Sequence, residues 1–467
     1  MLIKIKRVTT QGSILMYTLV FTSIFLVITA GLVSYSLAQY KLTNKKISKE
    51  LALHIAEAGI NYYRWHLAHD PSDYMDNTGL PGPYVHDYGD PFGGNIGQFS
   101  LEVTPPSEYS NVVGIKSTGW TLQEPGATRT VEVQYGRPTL SDFAFLTNSS
   151  TWFGENEELH GPIHSNGGIR MDGEHYSTLA SAVTTYICDP IHGCNNQTKP
   201  GIWGSGGNPA LWEFPDSNID FNVLTVDMAE LKSQAQNNGI YLPPSGLGYH
   251  IVFQADSSLD LYQVDSLESP VSSYDGDQWI TDSYDILSES FIQSYSLSST
   301  STIIFVEDDV WVNGDVRGRI TLATAVLPDI PNTNTSVYIG GDLLYTAKDG
   351  TDVLGIMAQK NILVPLYMAP DNLEINAVLL AQKGHVFRNY YPSSYSPYHL
   401  RNSISLYGSI ITNTIWTWRW VNSSQQPSSG YISTLTTYDP FLTFAPPPSF
   451  PLSGEYQFIK WKDNTDK

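Results

Sequence analysis

The chain has 467 residues, enough for two or three domains or for one elongated domain beside a smaller one. Acidic residues outnumber basic ones 46 to 25, a net charge of −21; a field of that sign repels phosphate backbones and argues against a broad nucleic-acid-binding face. Charged residues are only 15 % of the chain, and the hydroxyl-, amide- and tyrosine-rich remainder is a composition common in exported β proteins.

The first predicted element is a helix over residues 13–68. No residue from Ser13 to Ala38 is charged, a run of about 26 residues that spans a hydrocarbon core of roughly 30 Å. A secretory signal has an apolar core of only about 7–15 residues, so the run is too long for one, although Ser36–Ala38 looks like a small-residue cleavage site. Residues 13–38 therefore read as a transmembrane segment. Lys4, Lys6 and Arg7 precede it and Lys41, Lys45, Lys46 and Lys49 follow it, so counting charges does not orient the span. The exported character of the remainder puts the amino terminus in the cytoplasm. Beyond the span, Ile47, Leu51, Ile55, Ala58, Tyr62 and Trp65 recur at helical spacing and predict one apolar face. Pro71 ends the helix.

A basic leader ending in Gly12, an apolar helix directly after it and "AEAG" at Ala56–Gly59 together resemble the class III leader and N-terminal helix of type IV pilins. The resemblance is greatest to minor pilins of the PilX N-terminal type. It implies a leader over residues 1–12, cut by a prepilin peptidase to leave Ser13 as the new amino terminus. It also implies residence in the inner membrane before assembly and packing against other pilins through the helix. One position departs: most pilins carry glutamate five residues after the cut, where this chain has Tyr17. An uncleaved single-pass anchor is the alternative.

Over residues 69–138, "GQFSLEVTPP", "NVVGIKSTGWT" and "ATRTVEVQYG" predict three strands of an antiparallel meander. A long helix followed by such a meander is the arrangement of a pilin head. Residues 139–467 then read as a large β-rich domain. In "LHGPIHSNGGIRMDGEHY", His160, His164, Asp172, Glu174 and His175 are metal-ligand types, but their spacing fits no familiar site and suits polar turns between short strands. "GPIHSNGG" also resembles a segment recurrent in large heads of pilus-assembly proteins. Cys188 and Cys194 are the two cysteines; five residues between them, including Pro190 and Gly193, allow a disulfide suited to an oxidising compartment, with two free thiols as the alternative. "FNVLTVDMAELKSQAQNNG" predicts a helix capped by Thr225 and stopped at Gly239.

From about residue 301 to 420 short strands alternate with Gly, Asn and Asp turns. "VWVNGDV", "VYIGGDL" and "ISLYGSI" align as variants of one phrase and predict a parallel β-helix, with a β-sandwich as the alternative. Glu307, Asp308 and Asp309 are candidates for a metal or for a glycosidase-type carboxylate pair, and Asp275 and Asp277 are alternative calcium ligands. No basic cluster accompanies them. Trp416, Trp418 and Trp420 fall on one strand face with Arg419 on the other, placed to stack on a ligand or to close the end of the solenoid. A proline-stiffened arm, "YDPFLTFAPPPSFP", follows and resembles the carboxyl end of the same pilus proteins. The expectation is a structural minor pilin at a filament tip, in the membrane and then on the cell surface, with adhesion as an added role. It has no catalytic residues and no cofactor. The competing expectation is a membrane-anchored polysaccharide-active enzyme or glycan-binding surface protein.

Overall fold

A computed structural model describes residues 11–71, 73–90, 93–106, 112–136, 138–155, 157–221, 223–298, 301–414, 416–452 and 457–464. Most of the expected leader lies outside these residues. The chain is mainly β with a long N-terminal helix and divides into two compact units.

The first unit comprises the chain to Pro105, Val113–Gly136 and the residues from Phe458 onward. Helix α1 runs Gln11–His69 without interruption, about 90 Å at 1.5 Å per residue. From Ile14 to Thr43 its side chains are exposed all round. Its second half buries Ala52, Ile55, Ala56, Ile60, Tyr63 and Leu67 completely. The predicted face is thus rotated: Ile47 and Trp65 are each 60 % exposed, and of the six expected residues only Ile55 is buried in the core. Close approach is the reason. A β-carbon at Gly119 would lie 2.3 Å from the Ala52 carbonyl oxygen and 2.5 Å from the Ala56 nitrogen; one at Gly59 would lie 2.3 Å from the Ser117 hydroxyl. Small residues choose the contact side, whereas the periodicity counted large ones.

The sheet under the helix has the order β1 (Tyr84–Gly89), β2 (Asn95–Thr104), β3 (Val112–Thr121), β4 (Arg129–Gly136) and a C-terminal strand, Gln457–Asn464. β1 pairs antiparallel with β2, and β2 with β3. Strands β2 to β4 match the expected meander. β1 and the C-terminal strand were not read from the sequence; the latter is fixed by the Arg129–Asp463 ion pair at 2.6 Å and by Phe458 against Tyr135. Beyond the helix, Asp73 accepts from the Met75 and Asn77 amides and meets His66 at 2.9 Å. Burial alone would raise this carboxyl, but these contacts hold it below the usual carboxylate range.

The second unit, Arg137–Gln457 with a short excursion at 106–112, is built on long parallel ladders. One stacks the strands Ile240–Leu242, Thr302–Val306, Arg319–Thr324, Val353–Ala358, Asn372–Ala381 and Leu400–Thr412 in turn. It continues onto Phe145–Thr147, Ile163–Ser165 and Leu179–Ser181, so an early part of the chain stacks on a late part. Along it, Ile304, Leu322, Ile356, Leu379, Ile410, Phe145, Ile163 and Leu179 are successive register partners. All belong to one buried cluster. Like apolar side chains laid over one another every strand spacing make that core continuous.

A second ladder carries Tyr249, Val310, Val337, Ile362, Val386 and Trp416 in register. "VWVNGDV" and "VYIGGDL" pair at Val310–Val337 as expected. "ISLYGSI" joins them one strand further on: Leu343 pairs with Ile375 and Ile375 with Leu406, so Gly314, Leu343, Ile375 and Leu406 stack in register. The parallel pairing also reaches well outside residues 301–420, from Phe145 to Tyr438. Helix α2 (Val223–Asn238) covers the opposite face of strand Thr302–Val306 with Met228, Leu231 and Ala235. Thr225 lies inside it rather than capping it, while the Gly239 amide closes the last turn on the Ala235 carbonyl. The C-terminal arm is laid on the strands: Arg319 donates to the Ala445 and Pro446 carbonyls, and Thr321 to that of Pro448.

Burial pushes Asp142 up to about 7, against its contacts with Thr139, and Asp309 up to about 6, against Ser336 and Tyr338. Both therefore hold a proton in the folded state at pH values where the unfolded chain, near 3.9, does not. Their contribution to stability is complete below about pH 4 and is lost as pH rises through 6 and 7. Urea unfolding followed by tryptophan fluorescence is expected to lose on the order of 4 kcal/mol between pH 5 and pH 8. Asp142→Asn should flatten the upper part of that slope. A midpoint that rises over this range would contradict the assignment.

Candidate functional site

The apolar half of α1 is the first candidate. Leu15 and Val27 are 72 % exposed and Phe21 and Phe25 69 %, and the helix is long and apolar enough to cross a membrane. Its hydroxyls do not interrupt it. Thr18 donates to the Leu15 carbonyl at 2.9 Å, Thr22 to Thr18 at 2.6 Å, Ser23 to Val20 at 2.8 Å and Thr29 to Phe25 at 2.8 Å. These four hydroxyls are satisfied within the helix, which suits a hydrocarbon or helix-packed surrounding. Gly12 and Ser13 lie in the first turn of the described helix, and Tyr17 is exposed on its surface.

The acidic candidates are separated by their partners. Glu307 accepts from Lys232 and Tyr241. Asp308 accepts from the amides of Ser245 and Gly246 at 2.7 and 3.0 Å. Asp309 takes the Ser336 amide at 2.7 Å and the Tyr338 hydroxyl at 3.1 Å. Three adjacent carboxylates thus brace three different segments. Asp275 caps a turn through the amides of Asp277 and Gln278. His164 meets Asn166 and Asp216, His175 accepts from the Trp212 indole, His160 meets Glu158, and Asp172 receives Trp152 and Arg170. Among the described residues no group of three or more His, Cys, Asp or Glu is arranged to hold a metal ion.

The three tryptophans do not share one strand face. The chain turns at Trp418, so Trp416–Thr417 joins the parallel ladder on Val386–Phe387 while Arg419–Val421 pairs antiparallel with residues 427–430. Trp416 and Trp418 are buried, at 8 % and 2 % exposure, within the inner core. Trp420 alone is partly exposed, its indole donating to the Arg388 carbonyl at 2.8 Å. An aligned platform of three indoles is therefore not available to a ligand.

A cleft of about 260 Å³ opens beside them, lined among others by Trp152, Glu157, His192, Trp416, Arg419 and Trp420. Strand Thr151–Phe153 carries Trp152, whose indole is tied to Asp172 at 2.9 Å and whose ring lies 4.5 Å from the Arg170 guanidinium carbon. Cys188 and Cys194 are disulfide-bonded, their Cα atoms 5.6 Å apart. The loop they close presents His192, whose carbonyl is held by Arg170 at 2.6 Å. Glu157 accepts from the Thr434 hydroxyl; burial raises its pKa, while Thr434 and the Arg419 charge act the other way. Burial lowers that of His192, so its ring is neutral near pH 7. Trp152, Glu157 and His192 were not singled out in the sequence as a site.

No protein-family model matches the chain, and no curated protein does. Among solved structures it is similar to the crystal structure of competence-associated pilin ComZ from Thermus thermophilus. That match has 14 % identity and a TM-score of 0.33 and covers 89 % of this chain and 97 % of that one. A likeness at that score carries no argument about fold or activity.

Proposed function

We propose that this protein is a structural, non-catalytic subunit of a type IV pilus or related filament, anchored in the membrane before assembly and packed through α1 against the helices of other subunits. The observation that carries this reading is the helix surface from Ile14 to Ala38, uncharged, exposed on every side, with Thr18, Thr22, Ser23 and Thr29 bonded back to the helix carbonyls. Such a surface needs lipid or neighbouring helices around it. In the same reading the parallel ladders of the second unit are coils of a β-helix, supported by the like-on-like register of its buried residues. Separate engagement of Glu307, Asp308 and Asp309 supports a scaffold over a polysaccharide-active enzyme.

Position in the filament follows from Tyr17. In the pilins that this helix resembles, a glutamate at that place neutralises the terminal amine of a neighbouring subunit. Tyrosine brings no charge, and an unpaired amine in an apolar filament core costs several kcal/mol. Repeated self-packing is thereby disfavoured, and a single copy at the tip avoids it. Mass spectrometry of sheared surface filaments should find a mature chain beginning at Ser13, at an abundance far below that of the main subunit. A chain still beginning at Met1 or beginning near Gln39, or one as abundant as the main subunit, would contradict the proposal.

A further inference from the structure

We propose that the cleft between the disulfide loop and the Trp416–Val421 corner binds a single neutral sugar ring. The lining combines aromatic rings with polar side chains: Trp152 and Trp420 are partly exposed, and Glu155, Glu157 and Arg419 stand beside them. A ligand with hydroxyls on a C–H face matches both; a purely aliphatic one leaves the polar groups without partners.

Charge narrows the class further. Glu157 and Glu155 on the same lining repel carboxylates and phosphates, and Arg419 repels cations. A carboxylate beside a guanidinium suits adjacent hydroxyls, which donate to the one and accept from the other. Trp152 and Trp420 supply partly exposed indole rings for the C–H face of a sugar. Their own N–H groups are already committed to Asp172 and to the Arg388 carbonyl, so the rings are held before any ligand arrives. The volume lies just under the roughly 300–1,000 Å³ of sites for drug-sized ligands, which suits one ring rather than a chain. This site is independent of the assembly reading and stands or falls without it.

The test uses the full chain in micelles of a detergent without a sugar head group, titrated with glucose, galactose and N-acetylglucosamine and followed by saturation-transfer NMR. At least one should bind saturably with a dissociation constant on the order of 1 mM. Trp420→Ala and Arg419→Met should each weaken it about tenfold, a loss of roughly 1.4 kcal/mol, while Trp461→Ala on the other unit leaves it unchanged. Arg419 is half-exposed, and methionine keeps its aliphatic bulk, so this variant carries the test if Trp420→Ala fails to fold. Absence of saturation by all three sugars, undiminished binding in Arg419→Met, or tighter binding of glucuronate or choline would overturn the proposal.

Discussion

Replacing Gly119 with valine will detach the second half of α1 from its sheet. The β-carbon would fall 2.3 Å from the Ala52 carbonyl oxygen and 2.5 Å from the Ala56 nitrogen. Those are backbone atoms of a continuous helix, so no side chain can turn aside to make room. Valine suits a strand by up to about 1 kcal/mol, but overpacking of a fitted core costs typically 1–3 kcal/mol and more where backbone must move. The clash wins. Urea unfolding of the first unit should lose about 3 kcal/mol, and amide exchange should quicken over residues 48–67. Gly114→Val is the control on the same strand: the three atoms nearest its β-carbon would all belong to Thr104, the closest at 3.2 Å, and stability should change by less than about 1 kcal/mol. Wild-type stability in Gly119→Val would show that the helix does not rest on the sheet there.

The same contact explains part of what was legible in the sequence. A helix over residues 13–68 was readable because proline is absent and apolar residues persist. Its buried face was not, since Ala52, Ala56 and Gly59 are chosen by what they leave out. "FSLEV" and "RTVEVQY" alternate plainly and became β2 and β4. β1 is shorter, and its half-buried polar positions, such as His86, blur the pattern. In the second unit, apolar runs such as "TIIFV" announced buried strands, but which strand lies on which is a long-range matter. "ISLYGSI" reaches "VYIGGDL" only through residues 373–379, which lie between them. The cleft was the least legible part. Glu157 and Thr434 meet only because Glu157–His160 pairs with residues 434–437, far along the chain. Local pattern carries no sign of that. "IWTWRW" promised three indoles in line because alternation was assumed to run through Trp418, where the backbone in fact changes ladder.

Removal of Arg388 is expected to cost more than the loss of any surface ion pair. Its side chain is fully buried, between the rings of Tyr391 and Tyr431 at 5.5 and 5.3 Å. The guanidinium donates to the carbonyls of Leu366 at 3.2 Å and Tyr398 at 2.8 Å, with Gly430 at 3.5 Å. Burial lowers its pKa, while the two tyrosines and Asp285 oppose that shift. Asp285, 2 % exposed, takes the amides of Tyr367 and Met368, each at 2.8 Å. Segment 366–368 is therefore gripped from two sides, its Leu366 carbonyl by a cation and its next two amides by an anion. Arg388→Ala empties the space between the tyrosine rings, removes the Tyr398 carbonyl's side-chain donor, leaves the Leu366 carbonyl to Arg401 alone and deprives Asp285 of a compensating charge. Breaking one side of a buried charged arrangement typically costs about 3–5 kcal/mol, and chemical denaturation of the second unit should show a loss of that order. Arg388→Lys keeps the charge but not a planar fork able to serve carbonyls in separate directions, so it should recover only part of the loss, leaving a deficit of roughly 2 kcal/mol. A lysine variant as stable as the wild type would mean that charge alone matters here, and an alanine variant within about 1 kcal/mol would mean that the segment is held by packing without the arginine.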